Sequence, residues 1–174
     1  MTKDDYPSSM ARLNEAKTLF AVMDDLKIKG PTMDCRERCL LIECVCMAHM
    51  GKIDEAARQM SVIMTRLDTT DEMTVAETSL AQAELAICAK DAAGARKTVN
   101  QALPIMKRVA DKYNKKDVFY EGMLMEGIVN GLEGNLDSAK RKLRETAENS
   151  TNYGDKRRAE KELSRLSGWS SSIR

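Results

Sequence analysis

Four side chains able to bind a transition metal crowd one stretch of this 174-residue chain: Cys35, Cys39, Cys46 and His49. On a helix they share one face. Length defeats a common ion. At about 1.5 Å of rise per residue the set runs roughly 21 Å, whereas zinc draws its ligands to about 2.0–2.3 Å. Cys35 and Cys39 alone could supply two ligands, and two more would have to come from elsewhere. Buried cysteines acting as small apolar residues are the simpler reading. No metal and no cofactor is expected.

Catalysis has little to build on. The chain has one histidine and shows no glycine-rich phosphate loop, nucleophile elbow or paired metal motif. Glu43, Gln82, Glu84 and Glu126 could converge, but acid–base work needs a shaped pocket and a tuned pKa. A non-enzymatic protein is expected. Phosphates could be met by Lys140, Arg141, Arg144, Arg157, Arg158 and Lys161, backed by Lys142, Lys156 and Arg165. Glu145, Glu148, Glu160 and Glu162 are interleaved with them, and i,i+4 ion pairing on solvated helices explains most of the set. No aromatics are interleaved for base stacking. An RNA-associated subunit using this basic face is therefore the second functional reading.

The elements that must carry these residues are helical. With 43% apolar and 32% charged residues and a net charge of +1, residues 1–174 suit one soluble domain. The polar, acidic start "MTKDDYPSSM" is no targeting signal. The stretch "CLLIECVCMAHM", broken by Glu43 and His49, falls short of the ~20 apolar residues that span a bilayer. Five cysteines without a disulfide pattern point to a reducing, cytoplasmic setting. A first helix is expected over 8–29, capped by Ser8 or Ser9 and stopped by Gly30-Pro31. Hairpins follow over 34–67, 74–112 and 116–149, turning near Gly51, at Lys90-Asp91 and at Gly134-Asn135. Asp34 with Glu37, and Thr74 with Glu77, resemble capping arrangements. Pro104 should kink its helix or restart it. A polar helix over 154–167 closes the fold, with Trp169 free to tuck back. The fold class is all-α.

One phrase runs through these elements four times. "LNEAKTLFAVMDDL" starts at Leu13, "IDEAARQMSVIMTRL" at Ile53, "AAGARKTVNQALPIM" at Ala92 and "LDSAKRKLRETAEN" at Leu136. The copies align Ala16, Ala56, Ala95 and Ala139, at intervals of 40, 39 and 44 residues. Such a period marks stacked helical repeats, each burying its apolar face against its neighbours. Every aligned position holds Ala, as a close crossing of two helix backbones requires. Twelve residues before the later alanines stand Cys44, Ala83 and Gly127, small partners for a tight antiparallel pair. The stripe runs at offsets 0, 3, 7 and 10, and Thr146 breaks it in the last copy.

"HMGKIDEAARQM" and "GLEGNLDSAKRKL" resemble the turn and second helix of tetratricopeptide repeats, and "LAICAKDAAGARKTV" is a weaker copy. The likeness spans about 35–149, with 8–29 resembling an orphan second helix. The interval exceeds the family's ~34 residues, as in the elongated repeats of kinesin light chains. Glu43, Gln82 and Glu126 stand where the family has a buried Leu. The resemblance implies a right-handed stack of antiparallel hairpins, a TPR-like α-solenoid with a helix capping each end. Its first helices would line a concave groove with Arg38, Leu41, Val45 and Ala48, then Glu77, Leu80, Glu84 and Ile87, then Glu121, Leu124 and Ile128. Acidic steps alternating with apolar ones suit an amphipathic or partly basic segment of another protein. The competing expectations are self-association, coverage by the N-terminal helix, and a permanent interface in a larger assembly.

Overall fold

The computed structural model describes residues 5–25, 33–67 and 70–171 and is all-α there, without strands. Eight helices follow in order: α1 (Asp5–Asp25), α2 (Met33–His49), α3 (Ile53–Met64), α4 (Glu72–Cys88), α5 (Ala92–Tyr113), α6 (Lys116–Leu132), α7 (Leu136–Asn149) and α8 (Tyr153–Ser171). Their number and order are those expected, but several ends move. Ser8 and Ser9 lie inside α1, and Asp34 and Glu37 lie inside α2, so neither set caps a helix. Gly30-Pro31 and the Trp169 side chain fall outside the described residues.

At α4 the cap is Asp71, not Thr74. The Thr74 backbone N–H and hydroxyl both donate to Asp71 Oδ2, at 2.8 and 2.6 Å. A carboxylate gains from the positive end of the helix dipole, which an uncharged hydroxyl does not. Helix α5 passes through Pro104 without a break. Both Pro104 and Asn100, whose carbonyl the proline leaves unpaired, are exposed, so that carbonyl is open to water.

Helices α2–α3, α4–α5 and α6–α7 form hairpins, and their turns are built alike. Lys52 N–H donates to the Met47 carbonyl, Asp91 N–H to Ala86 and Asn135 N–H to Asn130, at 2.9, 2.9 and 2.8 Å. This closure needs one residue in the left-handed region. Gly51 (φ 86°) and Gly134 (φ 80°) supply it, and in the middle hairpin Lys90 (φ 60°) takes the same place.

Ala56, Ala95 and Ala139 are fully buried, whereas Ala16 is half-buried. Cys44, Ala83 and Gly127 are buried too, and Gly127 meets Leu143, one turn beyond the expected Ala139. A methyl on Gly127 would sit 2.9 Å from Leu143 Cγ, while one on Gly131 would meet Ala139 Cβ at 3.9 Å. Contacts running backward on one helix and forward on the other mark α6 and α7 as antiparallel. Thr146 does not interrupt the stripe. It is fully buried, with its hydroxyl donating 3.0 Å to the Lys142 carbonyl, so the polar atom is satisfied within its own helix.

Two apolar clusters result. One gathers Leu41, Cys44, Ala56, Met60 and Ile63, and the other Leu80, Val99, Met106, Leu124, Val129 and Leu143. Helix α1 packs on α2, and α2, α4, α6 and α8 touch in succession.

Candidate functional site

Along that succession opens a cleft of about 340 Å³, lined from α2 by Arg38, Leu41, Ile42 and Val45, and from α4 by Glu77, Leu80, Ala81 and Glu84. Helix α6 contributes Glu121, Leu124 and Met125, and α8 contributes Asp155 and Arg158. Leu41, Leu80 and Leu124 recur at intervals of 39 and 44 residues, the spacing of Ala56, Ala95 and Ala139. Each stands 15 residues before its own hairpin's buried alanine, so one position of the repeat is displayed three times.

Eight of the eleven expected groove residues line this cleft: Arg38, Leu41, Val45, Glu77, Leu80, Glu84, Glu121 and Leu124. Ala48, Ile87 and Ile128 do not. Ala48 and Ile128 are buried and Ile87 is packed against the larger cluster, so these three positions serve the core. Ile42, Ala81 and Met125 were not foreseen. They follow Leu41, Leu80 and Leu124 by one residue, and the repeat alignment already contained them. Leu41, Leu80 and Leu124 present little surface, whereas Ile42 is 47% exposed.

The charges in the cleft are mostly matched. Arg38 meets Glu77 through Nη2 and Oε1 at 2.7 Å and through Nε and Oε2 at 2.8 Å. Glu84, only 7% exposed, accepts from both terminal nitrogens of Arg158, with Nη2 to Oε2 at 2.9 Å. His49 Nε2 lies 3.3 Å from the same Oε2, and Tyr6 of α1 stacks on the His49 ring at 4.5 Å. Burial alone would raise the Glu84 pKa, but Arg158 and the hydrogen bonds from His49 and Arg158 outweigh it and hold the carboxyl at about 2. Burial raises the Tyr6 phenol to about 12.

Among the described residues two cleft carboxyls, Asp155 and Glu121, form no ion pair. Asp155 Oδ2 is shielded from solvent and accepts no hydrogen bond among the described residues. Burial, opposed by Arg158, raises Asp155 to about 6. Glu121 stands at the edge and is exposed as a residue. Its carboxyl is nonetheless pushed up to about 7, first by desolvation against the cleft wall and then by the charges of Asp155, Glu77 and Glu84.

The repeat-equivalent positions Glu43 and Glu126 are acidic and partnered. Glu43 accepts from Gln59 at 2.8 Å and pairs with Lys17 of α1 at 2.5 Å. Glu126 pairs with Lys142 at 2.6 Å. Gln59 and Lys142 each lie three residues beyond an aligned alanine, so these are equivalent contacts in two hairpins. Of Glu43, Gln82, Glu84 and Glu126 only Glu84 lines the cleft, so the four do not converge there.

The basic set loses one member. Arg158 turns into the cleft and is committed to Glu84, because the buried carboxylate of α4 is a stronger partner than water. Lys140, Arg141, Arg144, Arg157 and Lys161 remain on α7 and α8, the last four exposed. Among the described residues no group of three or more His, Cys, Asp or Glu is placed to hold a metal, and the Cys35 side chain lies outside them. Cys39, Cys44, Cys46 and Cys88 are unbridged. Burial raises the Cys44 and Cys88 thiols to about 11. No described helix is long and apolar enough to cross a membrane. Comparison with protein-family models, with curated proteins and with solved structures finds no match.

Proposed function

We propose that this chain is a non-enzymatic interaction module, a cytoplasmic adaptor or scaffold of tetratricopeptide-like type. In this reading the hairpins form a right-handed stack, α1 and α8 cap its two ends, and the cleft captures a segment of another protein. The observation that supports it is the recurrence of Leu41, Leu80 and Leu124, with their neighbours Ile42, Ala81 and Met125, along one open cleft. A wall that repeats in step with the chain suits an extended or helical segment laid across several helices. The RNA reading is the weaker one, since Arg158 is withdrawn from the basic face.

The test uses Ile42, which is exposed in the cleft, and Val62 of α3, 49% exposed and outside its lining. Ile42→Glu should leave the helical circular-dichroism signal intact and remove the proteins captured from native extract. Val62→Glu should retain them. Equal capture by both variants would count against the cleft. Leu80 is unsuitable for this purpose, because it is buried in the core.

A further inference from the structure

Resting on the interaction-module reading, we infer that the segment held in the cleft presents a basic side chain, Lys or Arg, to Glu121 and Asp155, with apolar neighbours seated on the Leu41–Leu80–Leu124 floor. The inference comes from subtraction. Four carboxylates face the cleft and two guanidiniums answer them, Arg38 on Glu77 and Arg158 on Glu84. Glu121 and Asp155 are left over, one from α6 and one from α8, on the same wall. Among the described residues Asp155 Oδ2 is buried without a donor, and a buried acceptor left unmade is costly. The positive end of α8 favours an acidic residue in its first turn, but it supplies Oδ2 with no hydrogen bond.

Charge selects the occupant further. An acidic segment would add to an existing surplus of two negative charges. A purely apolar one would desolvate Glu121 and Asp155 without compensation. A cation between apolar neighbours satisfies both the carboxyls and the floor. The raised pKa of each group fits an empty cation position, since a bound ammonium or guanidinium would lower both. Binding at neutral pH should therefore release protons.

The experiment uses the full chain and synthetic peptides of constant Leu/Ala background, whose central residue is Lys, Arg, Gln, Leu or Glu. Titration calorimetry is run in buffers of different ionisation enthalpy. The Lys and Arg peptides should bind about ten-fold tighter than the Gln peptide, with proton release. In Glu121→Gln/Asp155→Asn that advantage should vanish, with the Lys, Arg and Gln peptides binding alike. The single variant Glu121→Gln, at an exposed position, keeps the test alive if the double variant folds poorly.

A preference for Lys that survives in the double variant overturns the inference. So does binding indifferent to the central residue. Both leave the cleft reading standing, provided Ile42→Glu still blocks binding. Spermidine binding as tightly as the Lys peptide, and competing with it, would identify a free polyamine as occupant and overturn the claim of a protein segment. Failure of every peptide to bind the unaltered chain, or binding unaffected by Ile42→Glu, overturns the inference and the cleft reading together.

Discussion

Arg158 of α8 and Glu84 of α4 stand 74 residues apart in the chain and are joined through both oxygens of the carboxylate. The pair locks the last helix onto the middle of the fold. Arg158→Ala should leave the buried carboxylate with only His49 beside it and cost about 3 kcal/mol. Urea denaturation measures it. Replacing both residues by Leu and Met should recover most of that loss, because matched apolar groups remove the desolvation cost as well. A single variant as stable as the parent would mean the pair contributes nothing.

Stability should respond to pH in two opposite ways. The Glu84 pKa falls from 4.5 to about 2 on folding. Its contribution is present above 4.5 and is lost as pH falls toward 2, because the unfolded chain binds the proton first. Glu121 and Asp155 behave in reverse. Their folded pKa values, about 7 and 6, lie above the ordinary 4.5 and 3.8. The folded state holds those protons longer, so stability declines as pH rises through about 4 to 7. Melting temperatures of Glu121→Gln/Asp155→Asn between pH 5 and 8 should decline less than the parent's. Parallel curves would refute the assignment.

Lys90→Gly should stabilise the protein. A side chain at φ 60° carries a backbone cost of about 1 kcal/mol or more, partly offset by the greater freedom of glycine in the unfolded chain. The expected gain is about 0.5 kcal/mol, read from the denaturation midpoint. The same change at exposed Lys97, inside α5, should destabilise by about 1 kcal/mol instead.

Glycine-to-alanine changes should differ in sign between α6 and α8. At Gly127 the new methyl would lie 2.9 Å from Leu143 Cγ and 3.4 Å from its backbone nitrogen, and overpacking there should cost about 1–3 kcal/mol. Gly168→Ala meets nothing within 4 Å and should gain up to about 1 kcal/mol from helix propensity. Equal effects would place the α6–α7 crossing elsewhere.

The helices were legible because their signals are local: apolar residues at helical spacing, and turn residues between them. The floor of the cleft was legible for a related reason. The alignment on Ala56, Ala95 and Ala139 carries Leu41, Leu80 and Leu124 into equivalent places. Helix starts were less so, since Thr74 with Glu77 reads as a capping box and only the geometry shows that Asp71 is the acceptor. The Arg158–Glu84 pair was out of reach. Arg158 sits among other basic residues on a polar helix, and nothing in that pattern distinguishes the one that turns inward. The same holds for Asp155, whose significance depends on a missing donor rather than on its neighbours in the chain.

A row of stacked hairpins ordinarily loosens from its ends inward, because each unit answers only to the next. Here Tyr6 rests on His49, His49 on Glu84 and Glu84 on Arg158, so the beginning and the end of the chain meet across the middle. Helices α1 and α8 are thus tied to α2 and α4 through one set of side-chain contacts. Neither terminal helix can peel away alone, and melting should proceed as one event in which the cleft and both ends disappear together.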